Sequence, residues 1–282
     1  MTSTIPPWLA LLIAASVFAV MFSLGLMLGR EQVAAARERR AVLAVALFAV
    51  LVPVPAAAVL LVKLAGLQGV VAAGILLMAI SPGAPVAIRR AIDAGGHAAF
   101  APALHLAIVA LAIVSVPASL AVLDHLFGKS FTISPLHVAQ QVFFAQLLPL
   151  GLGAALRAWR PALAARLEAR LGRFTNVLLL ALAAALVVQL WPLLAQVGWM
   201  PFLAGAAVTV CALLLGAGLA WRDVQARPAV AVAMAMRNPG LALLIAAVNK
   251  MPALVVASVF GYALGLALVV AAFVAWHGRR AR

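Results

Sequence analysis

Nine long apolar runs take up most of the chain, and each could cross the hydrocarbon core of a bilayer. A core of ~30 Å needs about 20 helical residues at 1.5 Å per residue. Lipid permits only helices or closed barrels, and runs of this length without period-two alternation indicate helices. We therefore predict an all-α polytopic membrane protein, with spans at about residues 8–29, 41–62, 67–94, 97–126, 136–156, 173–191, 200–221, 228–249 and 252–276.

The composition excludes an ordinary water-soluble fold. Of the 282 residues, 67% are hydrophobic and 9% are charged, whereas soluble domains carry roughly 25% charged residues. The net charge of +14 could suggest a nucleic-acid partner. However, the Lys and Arg residues fall in short gaps between apolar runs and are not interleaved with aromatic residues. We interpret them as topology signals and predict the lipid bilayer, not nucleic acid, as the partner.

With nine spans, most of the basic residues fall on one side of the membrane. With eight spans, they would be divided between the two sides. Sixteen of the twenty lie there: Arg30, Arg37, Arg39, Arg40, Arg89, Arg90, Arg157, Arg160, Arg166, Arg170, Arg173, Arg222, Arg227, Arg279, Arg280 and Arg282. The other side holds only Lys63, Lys129 and Lys250. Because Lys and Arg are retained in the cytoplasm, we predict a bacterial-type inner-membrane protein with its N-terminus outside and its C-terminus inside.

The beginning of the chain and its one cysteine point to no further chemistry. No basic residue precedes the first apolar run and no small-residue cleavage site clearly follows it. We therefore predict a retained span rather than a signal peptide. Cys211 lies within an apolar run, so one chain can form no disulfide framework or Cys-based metal site. With no nucleotide-binding Gly-rich loop and no metal-ligand spacing, we predict no cofactor and no resident metal.

Two spans contain a helix breaker near the middle of the membrane. The third contains a Ser-Pro-Gly sequence beginning at Ser81, and the eighth contains Asn-Pro-Gly beginning at Asn238. Proline removes a backbone donor and glycine adds backbone freedom, so each sequence should interrupt its helix. The predicted break residues are Pro82, Gly83, Pro239 and Gly240. In the predicted topology these spans run in opposite directions, as expected for an inverted repeat.

Paired breaks favour a transporter. A single Pro-Gly sequence usually produces an ordinary kink, and this remains the alternative for each span taken alone. Paired interrupted spans in two halves of a chain are typical of secondary transporters, whose substrate site lies near the bilayer midplane. The ends of the half-helices would also favour an anion, because helix N-termini carry partial positive charge.

Arg237 is the basic residue placed deepest within a span, directly before the second break. An arginine at a helix centre costs ~2.5–3.5 kcal/mol even on insertion scales, so it should face a polar cavity or a partner. None of the six acidic residues is similarly deep in the predicted spans. Two interpretations remain open: the guanidinium caps carbonyl groups freed by the broken helices, or it binds an anion.

Other polar residues in the spans are weaker candidates. His105 lies about nine residues into the fourth span. It is either a hydrogen-bonded packing residue or the group for a proton-linked step, because imidazole titrates near neutral pH. Gln141 and Gln146 in the fifth span either line a cavity or join neighbouring helices.

Three stretches resemble the bile acid:sodium symporter superfamily: Met21–Leu28, Ser81–Ala84 and Met236–Ala242. With the last helix, the resemblance covers nearly the whole chain as one transmembrane transporter domain, 1–282. It implies a panel domain of spans one, five and six (about 8–29 and 136–191). The other six spans would form a core domain (about 41–126 and 200–276), within which the broken spans cross. Many members have ten helices, and this chain resembles a nine-helix form lacking the first.

The resemblance also implies where sodium ligands would lie. Sodium-coupled members hold two ions near the crossover with Ser, Asn, Thr, Gln and Glu side chains. The matching positions here are Val50, Ala87, Ile88, Ala101, His105, Ala233 and Arg237. Sodium needs several hard oxygen ligands, which apolar side chains do not offer, and a fixed guanidinium would repel it. We therefore do not expect the usual two-site sodium coupling.

We predict a secondary transporter that moves a small organic anion by alternating access, either facilitative or coupled to protons. The predicted substrate-binding residues are Arg237, Asn238, Ser81 and His105. One alternative is a sodium symporter of the same fold whose ions are held by backbone carbonyls at the breaks. Another is a non-transporting sensor or assembly subunit. An enzyme would need a convergent acid, base, nucleophile or metal set, and the spans contain none.

Overall fold

A computed structural model describes residues 6–127 and 134–280 of the chain, and side chains as far as residue 278. All regular elements in these ranges are helical, and seven helical segments are long and apolar enough to cross a membrane. The prediction of an all-α polytopic membrane protein is therefore confirmed. Lys129 and the side chains of Arg279, Arg280 and Arg282, all used in the topology prediction, lie outside the described part.

The helices follow the predicted spans in order. The first four spans are α1 (Pro7–Leu26), α3 with α4 (Arg40–Leu51, Pro53–Leu64), α5 with α6 (Gly69–Ala79, Ala87–Asp93) and α7 (Phe100–Leu126). The next two are α8 with α9 (Pro135–Val142, Leu148–Trp159) and α10 (Pro161–Val197). The last three are α11 (Met200–Leu219), α12 with α13 (Arg227–Ala235, Pro239–Val248) and α14 (Ala253–Arg280). A short extra helix, α2 (Arg30–Glu38), occupies the first gap.

Two regions predicted as loops are helical. The sixth span was expected at about 173–191, but α10 is 37 residues long and begins at Pro161, so Arg166 and Arg170 lie on the helix. Its first turns are rich in Ala, Leu, Arg and Glu, which favour helix even outside the lipid core. In the first gap, α2 buries Ala35 and exposes Arg30 and Arg37.

Two further spans deviate from regular α-helix beside prolines. The second span is interrupted at Val52, because Pro53 and Pro55 cannot donate to the preceding turn. The fifth span contains a π-helical turn, Phe143–Leu147, between α8 and α9. Pro149 at the start of α9 likewise lacks the N–H that would bond to Ala145 in a regular helix.

Closely packed glycines join α1 to α9. A Cβ atom added at Gly153 would collide with the carbonyl oxygen of Phe22 and lie 2.9 Å from the Cα of Gly25. Small residues allow membrane helices to approach closely, where van der Waals packing replaces the hydrophobic effect as the source of stability. The other main contacts of α1 are with α10 and α13, and α11 packs against α12 and α14.

We expect Gly153→Ala to lower the thermal unfolding midpoint of the purified protein, because the two backbones must separate to admit a methyl group. Overpacking of this kind typically costs ~1–3 kcal/mol. Gly151→Ala is the matched control on the same helix, since a Cβ there meets nothing within 4 Å. Thermal unfolding in detergent measures both variants. Equal midpoints for the two would show that the close contact does not stabilise the fold.

Candidate substrate site at the two helix breaks

The interrupted spans meet at their breaks. Helix α5 ends at Ala79 and α6 begins at Ala87, while α12 ends at Ala235 and α13 begins at Pro239. Between them, Pro82 and Arg237 form an isolated antiparallel backbone bridge. The Asn238 N–H donates to the Ser81 carbonyl at 2.8 Å. Each break thus satisfies backbone groups that the other has freed, as the lipid environment requires.

Local sequence explains the shape of the breaks. Gly83 adopts a φ of 79°, a left-handed conformation that glycine reaches without steric cost. Pro239 is the first residue of α13, where its missing N–H removes no helical hydrogen bond. The Ser81 hydroxyl donates to the Leu77 carbonyl at 2.7 Å, back along its own helix.

Asn238 connects the two breaks through its side chain. Its Oδ1 accepts from the Leu241 N–H at 3.1 Å and so caps the N-terminus of α13. Its Nδ2 donates to the Gly83 carbonyl at 3.0 Å in the other broken span. The residue is only 2% exposed, so both bonds form away from solvent. One amide therefore fixes the two breaks relative to each other.

The guanidinium of Arg237 binds backbone carbonyls. Nη1 donates to the Val50 carbonyl at 3.0 Å, and Nη2 donates to the Met234 carbonyl at 2.9 Å. Val50 and Met234 lie in the last turns of α3 and α12, where carbonyl groups have no donor within the helix. Arg237 is 0% exposed. This geometry is the capping arrangement, and it places a fixed positive charge in the core beside the breaks.

A cavity of about 260 Å³ lies beside the breaks. Helices α1, α6, α10, α13 and α14 and the break residues contribute to its lining. Its surface is mainly apolar. The lining residues are Ser16, Val17, Val20, Met21, Ala84, Pro85, Val86, Arg90, Leu179, Leu182, Met236, Arg237, Asn238, Pro239, Gly240, Ala263, Leu266, Ala267 and Val270.

The four predicted substrate-binding residues are close together but do not all face this cavity. Arg237 and Asn238 border it, whereas Ser81 and His105 are buried and do not line it. His105 lies beside Gly83, with its Cε1 atom 3.8 Å from where a Cβ of that residue would be. The His105 Nε2 has no hydrogen-bond partner among the described residues.

Gln141 and Gln146 differ in their surroundings. The side chains of Gln141 and Asn249 exchange hydrogen bonds at 3.0 and 3.4 Å, which join the fifth span to the end of the eighth. Gln146 is fully buried in the π-helical turn, and within the described part of the chain neither atom of its amide group has a partner. Neither glutamine belongs to the cavity wall.

Sequence reasoning missed Arg90 and the wall formed by α1 and α10. Arg90 lies at the end of the third span, where a basic residue is ordinarily a topology signal. Nothing in the local sequence distinguishes it from Arg89, the basic residue next to it. The wall residues Val17 and Leu182 carry no polar signal at all, so only the packing reveals them.

The seven positions implied for sodium ligands are all buried around the breaks. Five of them, Val50, Ala87, Ile88, Ala101 and Ala233, have apolar side chains without oxygen atoms. Across residues 6–127 and 134–280, there is no group of three or more His, Cys, Asp or Glu side chains that could hold a metal ion. Two of the seven positions are instead joined directly, because Arg237 donates to the Val50 backbone.

An all-helical membrane protein whose interrupted helices meet beside a cavity is typical of a secondary transporter. A family model described as the Sodium Bile acid symporter family matches residues 14–197. Because the match covers more than half of the chain, the protein belongs to this family and is a membrane transporter. The second break lies beyond the matched residues. A search of curated proteins found no match.

Proposed function

We propose that this transporter carries a small organic anion by alternating access and does not use the usual two sodium sites. The observation that carries the proposal is the position of the Arg237 guanidinium. It lies at a position implied for a sodium ligand and donates to the carbonyls of Val50 and Met234. The guanidinium of Arg237, which is part of the chain, therefore lies where sodium-coupled relatives are expected to bind a Na⁺ ion that can leave.

The chemistry of the guanidinium supports this substitution. Sodium is a hard cation that binds oxygen ligands, and backbone carbonyls at helix ends are oxygen ligands with partial negative charge. Arginine stays protonated, offers several N–H donors and is more weakly hydrated than an ammonium group, which suits a buried site. Because Arg237 is covalently attached, its charge does not enter and leave with each transport cycle. Transport therefore requires no Na⁺ binding to stabilise the crossover.

The charge around the cavity supports an anionic substrate. Arg237 and Arg90 border it, and among the described lining residues there is no carboxylate. The N-terminus of α13 adds partial positive charge. A volume of about 260 Å³ is below the ~300–1,000 Å³ usual for drug-sized ligands. The substrate is therefore a small anion rather than a steroid-sized one.

The arrangement of the helices supports movement of a core against a panel. The cavity is lined both by α1 and α10, assigned to the panel, and by α6, α13 and α14, assigned to the core. The Gln141–Asn249 bonds join panel to core at the other end of the eighth span. With the N-terminus outside, the end of the third span that carries Arg90 faces the cytoplasm. Any proton-linked step is assigned to His105, next to the first break.

The purified protein tests the anionic substrate directly. We expect small organic carboxylates to raise its thermal unfolding midpoint, because a ligand that binds the folded state stabilises it. The same compounds should enter proteoliposomes without added Na⁺, whereas the matching neutral amides should stabilise the protein less and enter more slowly. Protein-free vesicles give the passive background. Uptake of amides at the rate of the carboxylates, or no stabilisation by any anion, would overturn the proposal.

A further inference from the structure

Arg90 is the cation of the cavity that remains free to meet a ligand. Its side chain is exposed at the cavity wall, four residues after the exposed Val86, which lines the same cavity. Residues four apart on a helix share a face, so this edge of α6 faces the cavity. The neighbouring Arg89 is also exposed but does not line it.

The two arginines of the cavity differ in what their guanidinium groups do. Arg237 uses Nη1 and Nη2 on the carbonyls of Val50 and Met234 and is 0% exposed. For Arg90, the described residues provide neither a hydrogen-bond acceptor nor an ion-pair partner. An exposed guanidinium offers a planar fork of donors that can bind a carboxylate through two parallel bonds.

The remaining wall determines what else the ligand can carry. Besides Arg90 and the break residues, the cavity is lined by apolar side chains: Val17, Val20, Leu179, Leu182 and, from α14, Leu266. A second carboxylate against this surface would lose its hydration without gaining a partner, which is strongly unfavourable. With one free cation and apolar walls, the cavity suits one anionic group attached to an apolar body.

We propose that Arg90 binds the anionic group of the substrate directly, and that the substrate is a compact monoanion with an apolar body. This inference rests on the proposed transport of an organic anion and adds the class of anion and the residue that recognises it. Arg237 then acts as a positioning residue that holds the breaks, while Arg90 determines charge specificity at the cavity.

Binding measurements on three variants test this assignment. The probes are 4-methylpentanoate, its neutral amide 4-methylpentanamide, and the dianion 3-methylglutarate, each titrated while thermal unfolding is followed. Wild-type protein should bind the monoanion more tightly than either of the other two. Arg90→Gln should weaken monoanion binding about 10-fold or more, as expected for loss of a charge-assisted pair, and leave the amide unchanged. Arg90→Lys should restore part of the affinity.

Arg89→Gln is the matched control, since it removes the adjacent exposed charge without touching the cavity wall. Its affinity for 4-methylpentanoate should stay within about twofold of wild type, because exposed charges outside the cavity are screened by salt. The assignment would be overturned if Arg90→Gln kept the wild-type affinity for 4-methylpentanoate, or if Arg89→Gln lost as much affinity as Arg90→Gln. It would also be overturned if wild-type protein bound 3-methylglutarate more tightly than 4-methylpentanoate. If no organic anion binds the wild type, the proposed function itself fails, before any variant is compared.

Discussion

Replacing Arg237 with alanine should reduce the initial rate of anion uptake at least ~100-fold, equivalent to ~2.7 kcal/mol. The variant loses the fixed positive charge of the crossover and leaves the carbonyls of Val50 and Met234 without a donor. Each buried unsatisfied group costs ~1–3 kcal/mol. The ends of α3 and α12 would therefore no longer be held together. Uptake into proteoliposomes and thermal unfolding of the same preparation measure both effects.

Two further experiments separate the charge of Arg237 from its role in folding. Arg237→Lys retains the charge but cannot span two carbonyls with a planar fork, so we expect an intermediate rate. In Arg237→Ala, added methylguanidinium should restore part of the uptake, whereas choline should not. A folded Arg237→Ala protein that transports at the wild-type rate would contradict the role assigned to this residue.

Replacing Asn238 should have the second largest effect. Asn238→Ala removes the cap of α13 and the bond to the Gly83 carbonyl. Loss of an N-cap alone costs ~0.5–2 kcal/mol, and the unpartnered carbonyl adds ~1–3 kcal/mol. We expect a lower thermal midpoint together with at least ~10-fold slower uptake, because the two breaks are no longer fixed relative to each other.

Asn238→Asp distinguishes the two bonds. An aspartate still accepts from the Leu241 N–H but cannot donate to Gly83, and it places a negative charge beside the cavity. We expect it to keep α13 capped yet to transport the anion more slowly than Asn238→Ala. Asn176→Ala is the control, since Asn176 is exposed on α10. Faster uptake in Asn238→Asp than in Asn238→Ala would show that the cavity does not select for anions.

Much of the fold follows from the sequence because the bilayer leaves few choices. A run of about 20 apolar residues must form a helix, so the order of the spans was predictable. The breaks at Pro82 and Pro239 were equally readable, because proline and glycine act through the local backbone. The extent of α10 and the existence of α2 were not, because charged segments outside the lipid can be helix or loop.

The site was only partly predictable because its contacts are long-range. Arg237 stood out as a deep arginine, but its partner Val50 is 187 residues away in the chain. No local pattern shows which helix end such a guanidinium will reach. Arg90 lies at a span end, where a basic residue is ordinarily a topology signal. The apolar residues that line the cavity resemble any other residues of a membrane span, so the sequence does not single them out. The inverted repeat and the panel and core division stay predictions.

Sodium dependence of uptake tests the central claim most directly. Proteoliposomes of the wild-type protein take up a stabilising carboxylate from medium containing either NaCl or choline chloride at equal osmolarity. If Arg237 supplies the positive charge at the crossover, the initial rate of uptake should be the same in both media. A Na⁺ gradient should not change that rate. A steep or sigmoidal rise of the rate with Na⁺ would contradict the account, because it would mean that backbone carbonyls at the breaks still hold sodium.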